Sequence, residues 1–212
     1  MAVPKHVGII LDGNRRYAKR LLLKPWEGHD LGFKKFKELF VWIRDLDIRE
    51  LTLYCFSLQN FQRPKDEFNY LMDIFKRAAE DALVDEDIHT YKIRLNPIGR
   101  WHLFPQDVVQ KLALLKEKNM GYNQYIVNLC FAYGGREEII DAVKAMIAEG
   151  VRKEDVSQEL LTKHLYLSSE PDLIIRTGGE HRTSNFLVWQ SWYSEWFFLE
   201  KTWPEFTKDD LV

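Results

Sequence analysis

The sequence predicts an α/β protein: a mostly parallel sheet of six strands flanked by helices, folded as a single domain over residues 1–212. Two observations carry that expectation. Short runs apolar on both faces recur along the chain, as buried parallel strands do, and stretches with apolar residues at helical spacing separate them. At 212 residues and 46% hydrophobic, the chain is long enough to bury one substantial core.

Taken in order, residues 7–11 (VGIIL) read as the first strand, stopped by the turn residues Asp12, Gly13 and Asn14. A helix beginning there would offer free backbone N–H groups to an anion. Over 31–46, Phe36, Leu39, Phe40, Ile43 and Leu46 fall on one helical face, and 51–57 (LTLYCFS) make a second buried strand. Pro64 opens a helix striped by Phe68, Leu71, Met72, Phe75, Ala79 and Leu83, which runs out in the acidic Asp85-Glu86-Asp87. Then come a strand at 92–98, a helix at 105–118, a strand at 125–133, a helix at 136–148 and a strand at 172–177. A short helix at 184–193 and a sixth strand at 196–199 complete the expectation. Strands alternating with helices imply parallel pairing through crossovers.

Composition removes several classes. A formal net charge of −2 gives no overall field for nucleic acid. Cys55 and Cys130 each sit inside an apolar run without metal-ligand spacing, as reduced core residues of a cytoplasmic protein do. No apolar run reaches the roughly 18 to 20 residues of a membrane span, and the opening MAVPKH has no signal-peptide core. The chain has no GxxxxGK[ST], and no GxGxxG after its first strand. Asp81 and Asp85 read as a solvated helix end, and His6, His89, His102 and His164 as structural or surface residues.

The chemistry lies in the segments that leave the strands. The first strand runs into DGNRR, the second into SLQNFQRP, the fourth into AYGGRE and the fifth into RTGGEHRTSN, and a parallel sheet gathers all four at its carboxyl edge. Arg15, Arg16, Arg63, Arg136, Arg176 and Arg182 are thereby placed around one crevice with Asp12, Glu180 and Glu195. Guanidinium forks suit phosphate oxygens, and carboxylates beside phosphates call for Mg²⁺ between them. The crevice reads as a Mg-diphosphate site. His29 and His181 lie in the same loops.

The blocks HVGIILDGNRRYA, GH at 28–29, TLYCFSLQNFQRP, NLCFAYGGREEI and DLIIRTGGEHRTSNFLVWQ resemble, in order and over nearly the whole chain, the signatures of cis-prenyltransferases, the undecaprenyl and dehydrodolichyl diphosphate synthase family. The resemblance implies a homodimer that condenses isopentenyl diphosphate onto an allylic diphosphate with Mg²⁺, giving a Z-polyprenyl diphosphate of medium or long chain. It implies that Asp12 engages the metal and diphosphate, and that Gly13, Asn14, Arg15, Arg16, His29 and Arg63 grip the allylic diphosphate. Ser57 and Asn60 would stand near the reacting carbons, with Asn60 catalytic beside Asp12, and Glu67 lies on the next helix. Arg176, Arg182 and Ser184 would bind isopentenyl diphosphate, while Glu195 and His181 help Asp12 hold the metal. Arg15 matches archaeal and eukaryotic members. The family's arginine before the GH pair is replaced here, leaving Lys24 as its substitute. The family also continues beyond Val212 through a helix to an arginine- and glycine-bearing tail. A growing hydrocarbon needs a dry channel, which Phe36, Phe40, Ile43, Phe68, Leu71, Met72 and Phe75 would wall, with Cys55 leaving room near the reacting end. Release of such a product would bring peripheral contact with a membrane. A non-catalytic partner subunit would lack some of Asp12, Arg16, Asn60 and Arg63, all present here, and a phosphatase would want a base beside Ser57 that the sequence does not supply.

Overall fold

The computed structural model describes residues 3–212. Its elements run β1 (His6–Ile10), α1 (Asn14–Arg20), α2 (Glu27–Asp45), β2 (Glu50–Ser57), α3 (Lys65–Val84), α4 (Glu86–Thr90), β3 (Ile93–Ile98), α5 (Gln106–Asn119), β4 (Tyr125–Tyr133), α6 (Gly135–Ala148), α7 (Gln158–His164), β5 (Leu173–Arg176), β6 (Glu195–Phe198) and α8 (Lys208–Leu211). The six strands form one sheet in the order β3-β4-β2-β1-β5-β6, every pair parallel. β1 is fully buried and lies inside the sheet, between β2 and β5, as its unbroken apolar run requires.

Successive β2 residues feed opposite faces. Leu51, Leu53 and Phe56 join the larger core, with Leu39 and Ile43 of α2, Leu71 and Met72 of α3, and Val108 and Leu112 of α5. Tyr54 points to the smaller core, with Ile10, Cys130, Tyr133, Ile174, Phe186 and Leu187. α2 begins four residues earlier than its apolar stripe suggests, because Gly28 and Gly32 are its buried positions against α1.

The region 184–193 is a series of turns and not a helix. Ser184, Asn185 and Leu187 have φ of 52°, 64° and 43°, in the left-handed region. Side-chain bonds hold them there: Tyr54 donates its hydroxyl to the Ser184 carbonyl at 3.2 Å, and Asn185 Oδ1 accepts from the Arg136 N–H at 2.9 Å. These long-range bonds outweigh the local helical pattern.

Candidate active site

Chain leaving β1 turns at Gly13, whose φ of 106° and a Thr202 side chain 2.6 Å from where a Cβ would stand exclude other residues. The turn exposes the Asp12 carboxylate. Its Oδ1 accepts from the Gly13 N–H at 2.6 Å and faces Arg16 Nη2 at 3.0 Å, while Oδ2 accepts from Arg176 Nη2 at 2.8 Å. Burial alone would raise the Asp12 pKa, but the Arg176 hydrogen bond and the Arg16 charge outweigh it and hold the acid ionised below its ordinary range.

Asn14 opens α1 and lies against α2. A Cβ on Gly28 would meet the Asn14 carbonyl oxygen at 2.1 Å, and one on Gly32 the Asn14 Oδ1 at 2.5 Å. The glycine pair, one helical turn apart, is a sequence signal for close helix approach that apolar periodicity alone does not register. Asn14 Oδ1 is buried without a partner among the described residues, and Nδ2 donates toward His29 Nδ1 at 3.5 Å.

Beyond β2, Ser57 and Asn60 form a reciprocal cap of the 3₁₀ turn Leu58–Gln62, in which Asn60 Oδ1 accepts from the Ser57 N–H at 2.9 Å. That turn delivers Arg63, which pairs with the buried Glu67 on α3. His29 Nε2 donates to the same carboxylate at 3.2 Å, and Arg15 Nε stands 3.8 Å away. Although burial works to raise it, the His29 hydrogen bond and the Arg63 charge bring Glu67 down to about 2. Burial lowers His29 against the pull of Glu67, so its imidazole is neutral near pH 7. Glu67 thus orients one guanidinium and one imidazole toward the same space.

β5 supplies Arg176, whose side chain is buried. Besides Asp12, it donates to the Arg182 carbonyl and, at 2.6 Å, to Ser184 Oγ, while Nε has no partner among the described residues. Arg182 Nη1 donates to Glu180 at 2.6 Å. Arg15, Arg16, Arg63, Arg176 and Arg182 therefore face Asp12, Glu67 and Glu180, leaving a positive surplus.

These groups surround three connected spaces. A cup of about 500 Å³ is lined by Asp12, Gly13, Asn14, Arg15, Arg16, Lys19, His29, Arg63, Glu180 and Arg182. A pocket of about 620 Å³ shares Asp12, Asn14, His29, Arg63 and Arg182 with it, adds Ser57, Asn60, Arg176 and Ser184, and continues to Phe33, Phe36, Cys55, Leu71 and Phe75. An apolar recess of about 100 Å³ takes over at Phe33, Phe36, Cys55 and Phe75 and ends among Ala79, Ala82, Ile88, Leu112, Leu115 and Leu129, with Lys37, Asp81 and Asp85 at its border. Charge gives way to hydrocarbon from one space to the next, across shared walls. Phe36, Phe40, Leu71 and Phe75 line it as expected, whereas Phe68, Met72 and Ile43 belong to the packed core.

Four expected positions differ. Glu195 is not in this chain's crevice: it opens β6 opposite Leu173, at the amino edge, while Phe198 is the β6 residue level with Arg176. The parallel direction of β6 puts that acid at the far end of the strand. His181 is exposed, stacked on Phe198 at 5.2 Å between centroids and 3.9 Å from Glu200. Asp12, His181 and Glu195 are thus not gathered, and among the described residues no three His, Cys, Asp or Glu side chains are grouped to hold a metal. Lys24 lies over the Trp26 ring at 5.6 Å and outside the cup, where Lys19 is the lining lysine instead. Arg136 is exposed and does not line the pocket.

Comparisons with known proteins agree with this geometry. Residues 10–212 match the prenyltransferase family model described as undecaprenyl diphosphate synthase. A tritrans,polycis-undecaprenyl-diphosphate synthase (geranylgeranyl-diphosphate specific) of Methanocaldococcus jannaschii is 47% identical over 99% of this chain and 78% of its own length. An isoprenyl transferase of Thermus thermophilus is 41% identical over 99% of this chain and 84% of its own. The crystal structure of lavandulyl diphosphate synthase from Lavandula x intermedia, in complex with dimethylallyl diphosphate, superposes with a TM-score of 0.90 at 32% identity, covering 99% of this chain and 92% of the other. With the fold, the arginine-lined crevice and these relatives in agreement, the chain belongs to the cis-prenyltransferase family and is a prenyltransferase, a relative of the polycis-prenyl diphosphate synthases.

Proposed function

We propose that the protein condenses isopentenyl diphosphate onto an allylic diphosphate in a Mg²⁺-dependent reaction and makes a Z-polyprenyl diphosphate of medium or long chain. The observation that carries this reading is the gradient along the pocket, from five guanidiniums to an aromatic and aliphatic recess, which complements an amphiphile with a diphosphate head. The relatives named for geranylgeranyl diphosphate make that compound the primer to try first.

In this reading Asn14, Arg16, His29 and Arg63, with Gly13 and Arg15 shaping the cup, hold the allylic diphosphate. Arg176, Arg182 and Ser184 hold isopentenyl diphosphate. The guanidiniums around the allylic diphosphate stabilise it as it leaves: the allylic C–O bond breaks, the isopentenyl alkene attacks the allylic carbon, and the resulting cation loses a proton, which the released diphosphate can accept. Ser57 and Asn60 line the same pocket as Arg63 and Cys55, and in this reading they stand beside the carbons that react. Asp12 is the fitting protein donor for Mg²⁺, a cation that takes one or two carboxylates and completes its shell with substrate phosphates and water. The bound ion would supply Lewis-acid neutralisation of the departing diphosphate.

A homodimer fits the exposed Ile140, Val143 and Ile147 on one side of α6, the exposed Trp192 and Tyr193, and Phe197 on the edge strand β6. Two unpaired cysteines suit a cytoplasmic, reducing setting. No helix among the described residues is long and apolar enough to cross a membrane, so product release would use peripheral contact. The test is incubation with labelled isopentenyl diphosphate and geranylgeranyl, farnesyl or dimethylallyl diphosphate, with and without Mg²⁺. Elongated product that disappears with chelator is expected, and no elongation from any primer would overturn the reading.

A further inference from the structure

Between α1 and α2 the chain presents three consecutive leucines to solvent. Leu21, Leu22 and Leu23 are 49%, 94% and 40% exposed, and Leu22 has a left-handed φ of 57° that turns its side chain away from the body. The left-handed turn closes the end of α1, with the Leu22 N–H donating to the Lys19 carbonyl at 3.2 Å and the Leu23 N–H to the Ala18 carbonyl at 3.0 Å, and it leaves Leu22 at the tip of a contiguous exposed leucine patch of the kind that marks an interaction surface. Lys19 and Lys24 flank the leucines, and among the described residues neither makes an ion pair, whereas the Arg20 charge is met by Glu205. Glu27 is the nearby acid on the other side, accepting from the Lys24 backbone N–H at 2.6 Å. Trp26 lies under the Lys24 ammonium. Exposed aliphatic side chains between free lysines, closed by a tryptophan, match the layered chemistry of an anionic lipid surface, with hydrocarbon, phosphate and interface in turn.

We propose that residues 19–26 form a docking loop for an anionic bilayer, inserting Leu21 and Leu22 while Lys19 and Lys24 meet lipid phosphates. Leu23 and Pro25 also line the charged cup, so a docked loop sets the mouth of the cup at the headgroup level. The proposal rests on the loop itself and not on the catalytic reading, and the two fail in different assays.

The test is co-sedimentation of the whole chain with phosphatidylcholine vesicles and with vesicles carrying one third phosphatidylglycerol. Binding to the anionic vesicles that weakens with salt is expected. Leu22→Glu should lower the partition coefficient by about tenfold or more, and Lys24→Ala by about fivefold. Leu22→Asn, whose side chain tolerates a left-handed backbone, keeps loss of fold from explaining loss of binding. Leu22→Glu should retain circular dichroism and turnover on a detergent-solubilised short primer. Undiminished vesicle binding by both Leu22 variants would overturn the proposal, as would a wild type that binds neither vesicle. Self-association lost in Leu22→Glu without any lipid binding would assign the loop to a second copy instead.

Discussion

The two ends of the sheet both bury polar side chains, and they use them differently. In the amino half His6 Nε2 hydrogen-bonds Thr52 Oγ1 at 2.8 Å, Asn128 Nδ2 donates to Thr52 at 3.1 Å and to Glu50 at 2.7 Å, Asn96 donates to Asn128 at 2.9 Å, and Ser169 donates to Glu50 at 2.6 Å. This network closes on itself, with His6 Nδ1 its single buried unpartnered atom among the described residues, and its members line none of the three spaces. At the carboxyl edge, by contrast, guanidiniums outnumber carboxylates, Asn14 Oδ1 and Arg176 Nε are unpartnered, and a pocket stands before them. Buried polarity alone therefore marks no site. Polarity left open against a cavity does.

The sharpest way to break this contrast is to remove a polar group from each end, beginning with the acid at the carboxyl edge. Asp12→Ala should lower turnover by about a thousandfold while circular dichroism and melting temperature change little, because the Gly13 turn persists without the carboxylate. Retained activity would end the special standing of the carboxyl edge.

Within that edge the two proposed anion sites can be separated kinetically. Arg176→Ala and Arg182→Ala should mainly raise KM for isopentenyl diphosphate, and Arg16→Ala and Arg63→Ala that for the allylic substrate. Each loses a charge-assisted contact of roughly 1.5 to 3 kcal/mol, about 10- to 150-fold. Equal shifts in both constants for all four would merge the sites.

At the amino half, Asn128→Leu should destabilise the fold by about 1 to 3 kcal/mol by removing the Asn128 bonds to Thr52, Glu50 and Asn96, and leave kcat/KM unchanged. A denaturant titration beside a rate measurement decides this, and a matching loss of rate would show the network to be more than structural. Cys55→Leu tests the junction of charged and apolar space. Filling it should shift the product distribution, read by mass spectrometry, to shorter chains, whereas an unchanged distribution would move the channel elsewhere.

The smallest expected effect is on pH. Burial holds both His6 and His29 below their ordinary value, so the unfolded chain takes up those protons first. The stability they contribute is whole above about pH 6.5 and falls as pH drops through that value toward their lower folded pKa values. His6→Gln should flatten part of this slope in thermal melts and leave the pH–rate profile of the enzyme as it was.

The fold is largely legible in the sequence because doubly buried strands such as 125–133 carry an apolar run that no surface helix would keep. Their carboxyl ends can then be placed together without knowing any distance. Strand direction is harder to see. Glu195 is close in sequence to the RTGGEHR loop, but the chain returns to the amino edge before β6 starts, so the acid begins the strand instead of ending it. The region 184–193 has a helical pattern that its bonds to Tyr54, Arg136 and Arg176 override. α7 at Gln158–His164 and the five-residue α4 carry too few apolar positions for periodicity to announce them. Glu67 shows the limit for the site: its spacing from Arg63 is visible in the chain, but its contact with His29, 38 residues earlier, comes only from packing α2 beside α3.

The Asp12–Arg176 pair joins residues 164 positions apart, and β1 takes β5 as a neighbour from the other end of the chain. During synthesis β1 emerges first and can pair with β2, yet its second hydrogen-bonding edge stays open until residues 173–176 leave the ribosome. For that interval a wholly buried strand of the finished molecule is an edge strand, the form most prone to pair with another chain. A polypeptide stalled after β4 would hold that edge open with no means of closing it, and the order of the strands makes this the stage at which a chaperone has most to protect.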